Sequence, residues 1–345
     1  MILTDFVSIR PRHEMEQDKL LAWTAHQHAT DVREKLFALG TGEDKIQKRG
    51  FQIPDPLQEE GVQKLQSASL RERLCFYEEE VSNIFEAFYP REELLPEQLI
   101  HVTCTGYVAP SPAQRLLSIR KATKSFATHV YHMGCYASIP AIRMASGSLA
   151  TGISSVDIVH TELCSLHFHP FTHKTEQLVI QTLFADGFIK YSVQHENTKG
   201  LQLIALLEEI ISDSLSDMQW RCEDTCHVMT LSKRVPLYIM QALQGFFSRL
   251  VEKAGLDVDT IRSSAYFAIH PGGTKIFHYV KERLELENWQ VAHSLSIFQQ
   301  YGNMSSATLP HIWEKMLNEL PKDAYIVSFA YGPGLTMVGA LLRKL

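Results

Sequence analysis

Nowhere does this 345-residue sequence stay apolar for long. Its strongest central stretch, Leu203-Ile-Ala-Leu-Leu207, stops at Glu208-Glu209, far short of the roughly 20 residues that span a bilayer, so no membrane span is expected. The opening Met1-Ile-Leu-Thr-Asp5 has neither the basic start nor the apolar run and small-residue cleavage site of a secretory signal. Cysteine is scarce, with six scattered residues, as is usual for reduced thiols; together these features set a cytoplasmic expectation. Cys222, Cys226 and His227 look like a fragment of a metal site. No second pair stands at zinc spacing, so the expectation is a loop with two unpaired thiols and no metal. Basic residues are too few for a chain-wide nucleic-acid footprint: 33 Lys+Arg against 39 Asp+Glu leave a net charge of −6. Low-complexity segments and a Pro/Ser-rich linker are also missing, which excludes disorder and beads on a string.

What is present is an ordinary globular composition, 45% hydrophobic and 21% charged, with an unusual 16 histidines. At roughly 150 residues per domain the length suggests about two domains or one large fold. Helical spacing is expected near 15–38 and 59–88, with Pro54-Asp-Pro56 as a loop between them. Strands and helices then alternate. Ile100–Cys104, His129–Tyr131 and Val156–His160 read as strands, and Gln114–Ala122 and Tyr136–Gly147 as helices. The C-terminal half repeats the style, with Tyr266–Ile269 and Ala324–Phe329 as strands and helices ending near Leu286 and Leu320. This alternation predicts an α/β layered fold. Its two similar halves, residues 1–200 and 201–345, suggest an internal duplication sharing one core.

Three junctions carry chemistry. Met133-Gly-Cys135-Tyr-Ala-Ser138 places a thiol at a helix start, where free N–H groups and the positive dipole end lower its pKa. Ala268-Ile-His270-Pro-Gly-Gly273 ends a strand with an imidazole at the carboxyl edge of a sheet, where open α/β folds bind ligands. Gln300-Tyr-Gly-Asn303-Met-Ser-Ser-Ala307 puts an amide at a loop-to-helix junction, a position that also suits an N-cap. A thiol, an imidazole and an amide are the set required for acyl transfer with oxyanion stabilisation.

These strings resemble the type III polyketide synthases, the chalcone synthase-like enzymes. Gly134-Cys135, His270-Pro-Gly-Gly273, Tyr301-Gly-Asn303-Met-Ser-Ser-Ala307 and Gly332-Pro-Gly334 occur in that family's order, and Thr161-Glu162 and Asp186-Gly187 match similar pairs. The resemblance spans roughly residues 95–345. It implies a thiolase-like fold, duplicated βαβ halves forming a layered αβαβα core. It also implies a catalytic set of Cys135, His270 and Asn303. Cys135 would be loaded from an acyl-CoA and kept as a thiolate by His270, while His270 and Asn303 hold the thioester oxygen of decarboxylating malonyl-CoA. No metal or redox cofactor is implied. A homodimer is, and an acyl carrier protein is an alternative donor.

The resemblance also marks the substrate's surroundings. Met229 stands where plant members have one of two Phe gates. The other gate should fall between Tyr191 and Trp220, with Leu206 or Leu207 in its place. Cys164 and His167 fall where the cavity is lined with threonines, and Gly332 and Pro333 belong to a loop at the same cavity. Ala109 falls where the family reaches into the partner subunit. Lys45, Lys48 and Arg49 lie in a stretch used for CoA phosphates, a role that suits Lys and Arg. Flexible aliphatics in place of the rings favour a medium or long fatty acyl starter and a pyrone- or resorcinol-type product. The alternatives are a ketosynthase III-like single condensation or acyl transfer, and a non-catalytic acyl-CoA-binding homologue.

Overall fold

Ile2–Ile9 (β1), the first strand of the chain, lies in the middle of a nine-stranded sheet. The structure is a computed structural model that describes residues 1–26, 30–40, 45–53, 68–168 and 175–345. The strands that follow are His13–Glu16 (β2), Lys48–Phe51 (β3), Gln98–Thr103 (β4), Phe126–Tyr131 (β5), Val156–Glu162 (β6) and Gly187–Gln194 (β7). After them come Leu201–Ile210 (β8), Met218–Cys222 (β9), His227–Leu231 (β10), Tyr266–Ile269 (β11), Tyr325–Gly332 (β12) and Thr336–Lys344 (β13). The order across the large sheet is β11-β12-β13-β8-β1-β7-β6-β4-β5, while β2–β3 and β9–β10 form separate antiparallel pairs. Strands from before residue 200 occupy one side of the sheet and strands from after it the other. They join at β1 and β8 through only two register pairs, Ile2↔Gln202 and Leu3↔Leu201.

The helices are Gln17–His26 (α1), Thr30–Gly40 (α2), Leu70–Phe88 (α3), Pro112–Ile119 (α4), Ser138–Ala150 (α5) and Thr175–Leu183 (α6). Val235–Lys253 (α7), Val258–Ser264 (α8), Thr274–Leu284 (α9), Asn288–Tyr301 (α10) and Thr308–Glu319 (α11) complete them. Local sequence sets several starts. Ser69 with Glu72 and Ser111 with Gln114 close capping boxes, and Pro112 fits the first turn of α4, where its missing N–H costs nothing.

Three apolar clusters divide the helices into layers. Successive residues of a strand face opposite sides. On β4, Leu99 joins α3 and α4 (Val81, Phe85, Leu116), while Ile100 faces α5 and α11. On β12, Val327 and Phe329 pack on α7 and α9, while Ile326 and Ala330 turn to the same central helices. Helices α5 and α11 are therefore packed between strands of both halves, giving the αβαβα sequence of layers. Trp313 of α11 is buried there, donating its indole N–H to Ser328 Oγ at 2.9 Å and meeting the Tyr191 ring edge-on.

Some expectations change. The single helix expected over 15–38 is two, α1 and α2. The helix expected from 59 is seen as Leu70–Phe88, and Pro54, Pro56 and Leu65 lie outside the described residues. The loop expected around Cys222 and Cys226 is the β9–β10 ribbon, in which His227 and Cys222 are directly paired.

Candidate active site

Cys135 sits in a single tight turn, Gly134–Tyr136, between β5 and α5. Gly134 holds φ +79, and a Cβ there would meet Pro333 Cδ at 2.7 Å, so only glycine fits without displacing the loop behind it. Gly332 is equally constrained: a Cβ would stand 2.1 Å from the Tyr136 ring. Gly332 and Pro333 thus brace the Cys135 turn from behind, and neither lines the cavity in front of it.

Asn303 follows α10 and is fixed by its backbone. Its N–H donates to Leu183 O at 2.8 Å and its carbonyl accepts from Ala185 N at 2.9 Å. Its side-chain Oδ1 accepts from Ser305 N at 2.8 Å, which leaves the amide N–H groups as the part available to a neighbour. Close by, the Cys135 thiol donates to Ser305 Oγ at 3.8 Å, and the Asn303 amide is among the groups that favour its thiolate. Ser305, at φ +51, stands between two thiols: 3.8 Å from Cys135 Sγ and 2.9 Å from Cys104 Sγ. Behind Cys104 lies the buried Glu162. Its Oε2 accepts from Cys104 N at 3.0 Å and Thr105 Oγ1 at 3.0 Å, and its Oε1 from the Ser306 hydroxyl.

Electrostatics correct one expectation. The thiol does not gain acidity from its helix-start position, because burial outweighs it. Burial pushes the Cys135 thiol up to about 12, Glu162 adding to the rise and the Ser305 and Asn303 hydrogen bonds opposing it. Burial also pushes His270 down to about 3. Both His270 ring nitrogens are buried without a hydrogen-bond partner, so the expected thiolate–imidazolium pair is not formed in this geometry. His270 is held at the end of β11 by its N–H to Phe329 O at 2.8 Å. It and Asn303 are 1% and 2% exposed and do not line the cavity that Cys135 faces.

That cavity is a narrow pocket open at its mouth. Cys135, Cys164, His167, Met229 and Ser305 all line it. His167 is locked as a neutral ring, accepting from His227 N at 3.0 Å and bonded to Thr105 O at 2.7 Å. Its neighbours His169 and His173 lie outside the described residues. Leu206 and Leu207 belong to β8 and pack into the core, so they gate nothing here. The aromatic wall is instead Trp220, which donates to Cys104 O at 2.6 Å, with Phe184 and Ile180 opposite. Trp220 marked the limit of the expected gate interval, whereas α6 gave no chemical signal in the sequence.

The three basic residues separate. Arg49 is 1% exposed, and its guanidinium donates to Gln17 Oε1 at 2.8 Å, Gln181 O at 2.7 Å and Phe184 O at 2.8 Å. Burial lowers it to about 9. It is a structural brace for the end of α6, not a phosphate ligand. Lys48 pairs with Glu16 on the surface at 3.4 Å. Lys45 is partly exposed, and its ammonium is lowered by burial and then by neighbouring Lys275, a cation that the sequence pattern did not single out. Ala109 is exposed, beside Tyr107, which is 63% exposed.

With the geometry in place, comparison with known proteins defines the class. Residues 202–345 match the family model for chalcone and stilbene synthases, C-terminal domain. The C-terminal type III polyketide synthase domain of Steely1, a type I/III hybrid from Dictyostelium, superposes with a TM-score of 0.89 over 99% of both chains at 21% identity, which establishes the thiolase-like fold. Among curated relatives, probable polyketide synthase 1 of Dictyostelium discoideum is 27% identical over 71% of this chain. The alpha-pyrone synthesis polyketide synthase-like Pks18 of Mycobacterium tuberculosis is 27% identical over 83% of this chain and 77% of its own length. The chain spans only 8% of the length of the Dictyostelium relative. The C-terminal 144 residues thus match the chalcone and stilbene synthase family, and the chain as a whole is similar to type III polyketide synthases and shares their thiolase-like fold.

Proposed function

We propose that the chain is a condensing acyltransferase that joins malonyl units to an acyl group carried on Cys135. The observation that carries this reading is the Cys135 thiol at the cavity wall, 3.8 Å from the hydroxyl of Ser305, whose N–H in turn fixes the Asn303 amide oxygen. The resting pair is neutral. His270, with both ring nitrogens uncommitted, takes the thiol proton as Cys135 attacks the acyl thioester, and CoA leaves as its thiol. Malonyl-CoA then loses carbon dioxide, with the enolate oxygen held by donors from His270 and Asn303. The enolate carbon attacks the Cys135 thioester, whose oxygen faces the Cys135 backbone N–H.

The donors are CoA thioesters, with Lys45 and its neighbour Lys275 as the cations for the CoA phosphates; two ammonium groups so placed suit a phosphate. The Met229 and Cys164 walls suit a medium or long fatty acyl starter. A pyrone- or resorcinol-type product follows from that starter, and similarity to the alpha-pyrone relative supports it. The working unit is a homodimer, with the exposed Tyr107–Ala109 segment facing the partner.

The test is a panel of acyl-CoAs with malonyl-CoA, products read by mass. Long-chain acyl-CoAs should give products of two or more malonyl extensions, while one extension throughout would favour a ketosynthase III-like enzyme. Cys135→Ala should keep decarboxylating malonyl-CoA and yield no condensed product; full-length product from this variant would sink the assignment.

A further inference from the structure

Beside the catalytic turn lies a cluster that the condensation does not use. His132, Cys222 and His227 each bring one ligating atom, and these atoms all lie within 4.8 Å of one another. Two of the three are cross-strand partners, His227↔Cys222 on the β9–β10 ribbon, so they share a face by register. The third comes from the end of β5, three residues before Cys135, where His132 adopts the left-handed φ of +60 that a histidine rarely takes. His132 Nε2 stands 3.6 Å from Cys222 Sγ. Zinc–nitrogen and zinc–sulfur bonds of about 2.0 and 2.3 Å at a tetrahedral angle place the two ligand atoms about 3.5 Å apart.

A second, independent feature points to a ligand. His227 is 2% exposed, yet both of its ring nitrogens are without a hydrogen-bond partner, as is the buried Nδ1 of His132. A buried polar nitrogen without a partner is costly, and a cation would supply the one that a His227 ring nitrogen lacks. The rings are also held in place: His227 stacks on His167 at 4.2 Å and meets His132 edge-on at 5.0 Å. Cys226, grouped with these residues by sequence alone, is not a member, and stands beside Arg73 instead.

We propose that His132, Cys222 and His227 form a three-ligand site for one zinc-class divalent cation, as two neutral imidazoles and a thiolate, with the fourth position left to water. Two nitrogens and a sulfur suit zinc, whereas magnesium and calcium require oxygen donors. Binding exchanges the Cys222 S–H bond for a sulfur–metal bond and releases that proton to solvent. The cation would tie the β9–β10 ribbon to the turn that carries Cys135.

Cobalt(II) is the probe, added to the chelator-stripped full chain and followed by thiolate-to-cobalt charge-transfer absorbance. One equivalent per chain is expected, displaced by zinc(II). Cys222→Ser, at an exposed position, should abolish the charge-transfer band. His132→Gln should weaken cobalt binding at least tenfold, and Cys135→Ala should leave it unchanged. No binding at micromolar cobalt, a charge-transfer band that survives Cys222→Ser, or one lost in Cys135→Ala would each overturn the site. None of these readouts depends on condensing activity.

Discussion

Cys135 and His270 each pull against what their local sequence promises. A thiol at a helix start should be acidic, yet burial raises it to about 12; an imidazole at a strand end should be a solvated base, yet burial lowers it to about 3. Before substrate binds, alkylation of Cys135 by iodoacetamide should therefore climb about tenfold per pH unit through neutral and mildly alkaline pH. A rate already level below pH 7 would mean a preformed thiolate and count against the neutral resting pair. The string Gly-Asn303-Met-Ser-Ser-Ala was readable as a site, but the role of Ser305 was not. That role depends on a left-handed backbone that brings its hydroxyl between Cys104 and Cys135, two residues far apart in sequence.

Among the elements, those buried on both faces were the most legible. Gln98–Thr103 is buried at every position around Leu99, Ile100 and Val102, and β12 is buried at every position after Tyr325. The β9–β10 ribbon was illegible because it is half-exposed and carries Arg221 and Glu223, a pattern that a loop shares. Charge alone misled at Lys45–Arg49, since a sequence does not tell which cation an element will bury. Arg49 secures the end of α6 and Lys45 does not. Arg49→Ala should therefore lower stability by about 2–4 kcal/mol, because Gln181 and Phe184 carbonyls lose their donors. Lys45→Ala should leave the melting temperature within a few degrees and raise the KM for malonyl-CoA several-fold. Chemical denaturation and steady-state kinetics on the two variants separate these outcomes, and an unchanged KM in Lys45→Ala would remove the lysine from the CoA site.

At the scale of the molecule, the abundant histidines are mostly structural, and they set its acid tolerance. Burial lowers His160 and His270 to about 3 and His311 to about 4, with His101 shifted the same way. The unfolded chain takes up these protons below about pH 6.5 and the folded chain does not. Their contribution is thus complete above 6.5 and is lost as pH falls, by up to about 1.4 kcal/mol per unit for each residue. Asp186 runs the other way. Burial raises it to about 6 despite hydrogen bonds from Ser165 and Gln52, so its contribution is present below about 3.8 and is lost as pH rises to 6. The histidines lowered by burial outnumber the carboxyls that burial raises, Asp157, Glu162, Asp186 and Glu314, so the melting temperature should fall on the order of 5–10 °C between pH 7 and pH 5 by calorimetry. A flat profile over that interval would contradict the neutral buried imidazoles.

The place of β1 has a consequence in time. Ile2–Ile9 pairs with Gly187–Gln194 on one side and meets Leu201 and Gln202 on the other, so β1 waits for partners nearly two hundred residues later. At synthesis rates of about 5–20 residues per second, that interval is roughly 10–40 s. During it the apolar Ile2 and Leu3 lack their strand partners, and the central sheet cannot close until Gln202 has been made.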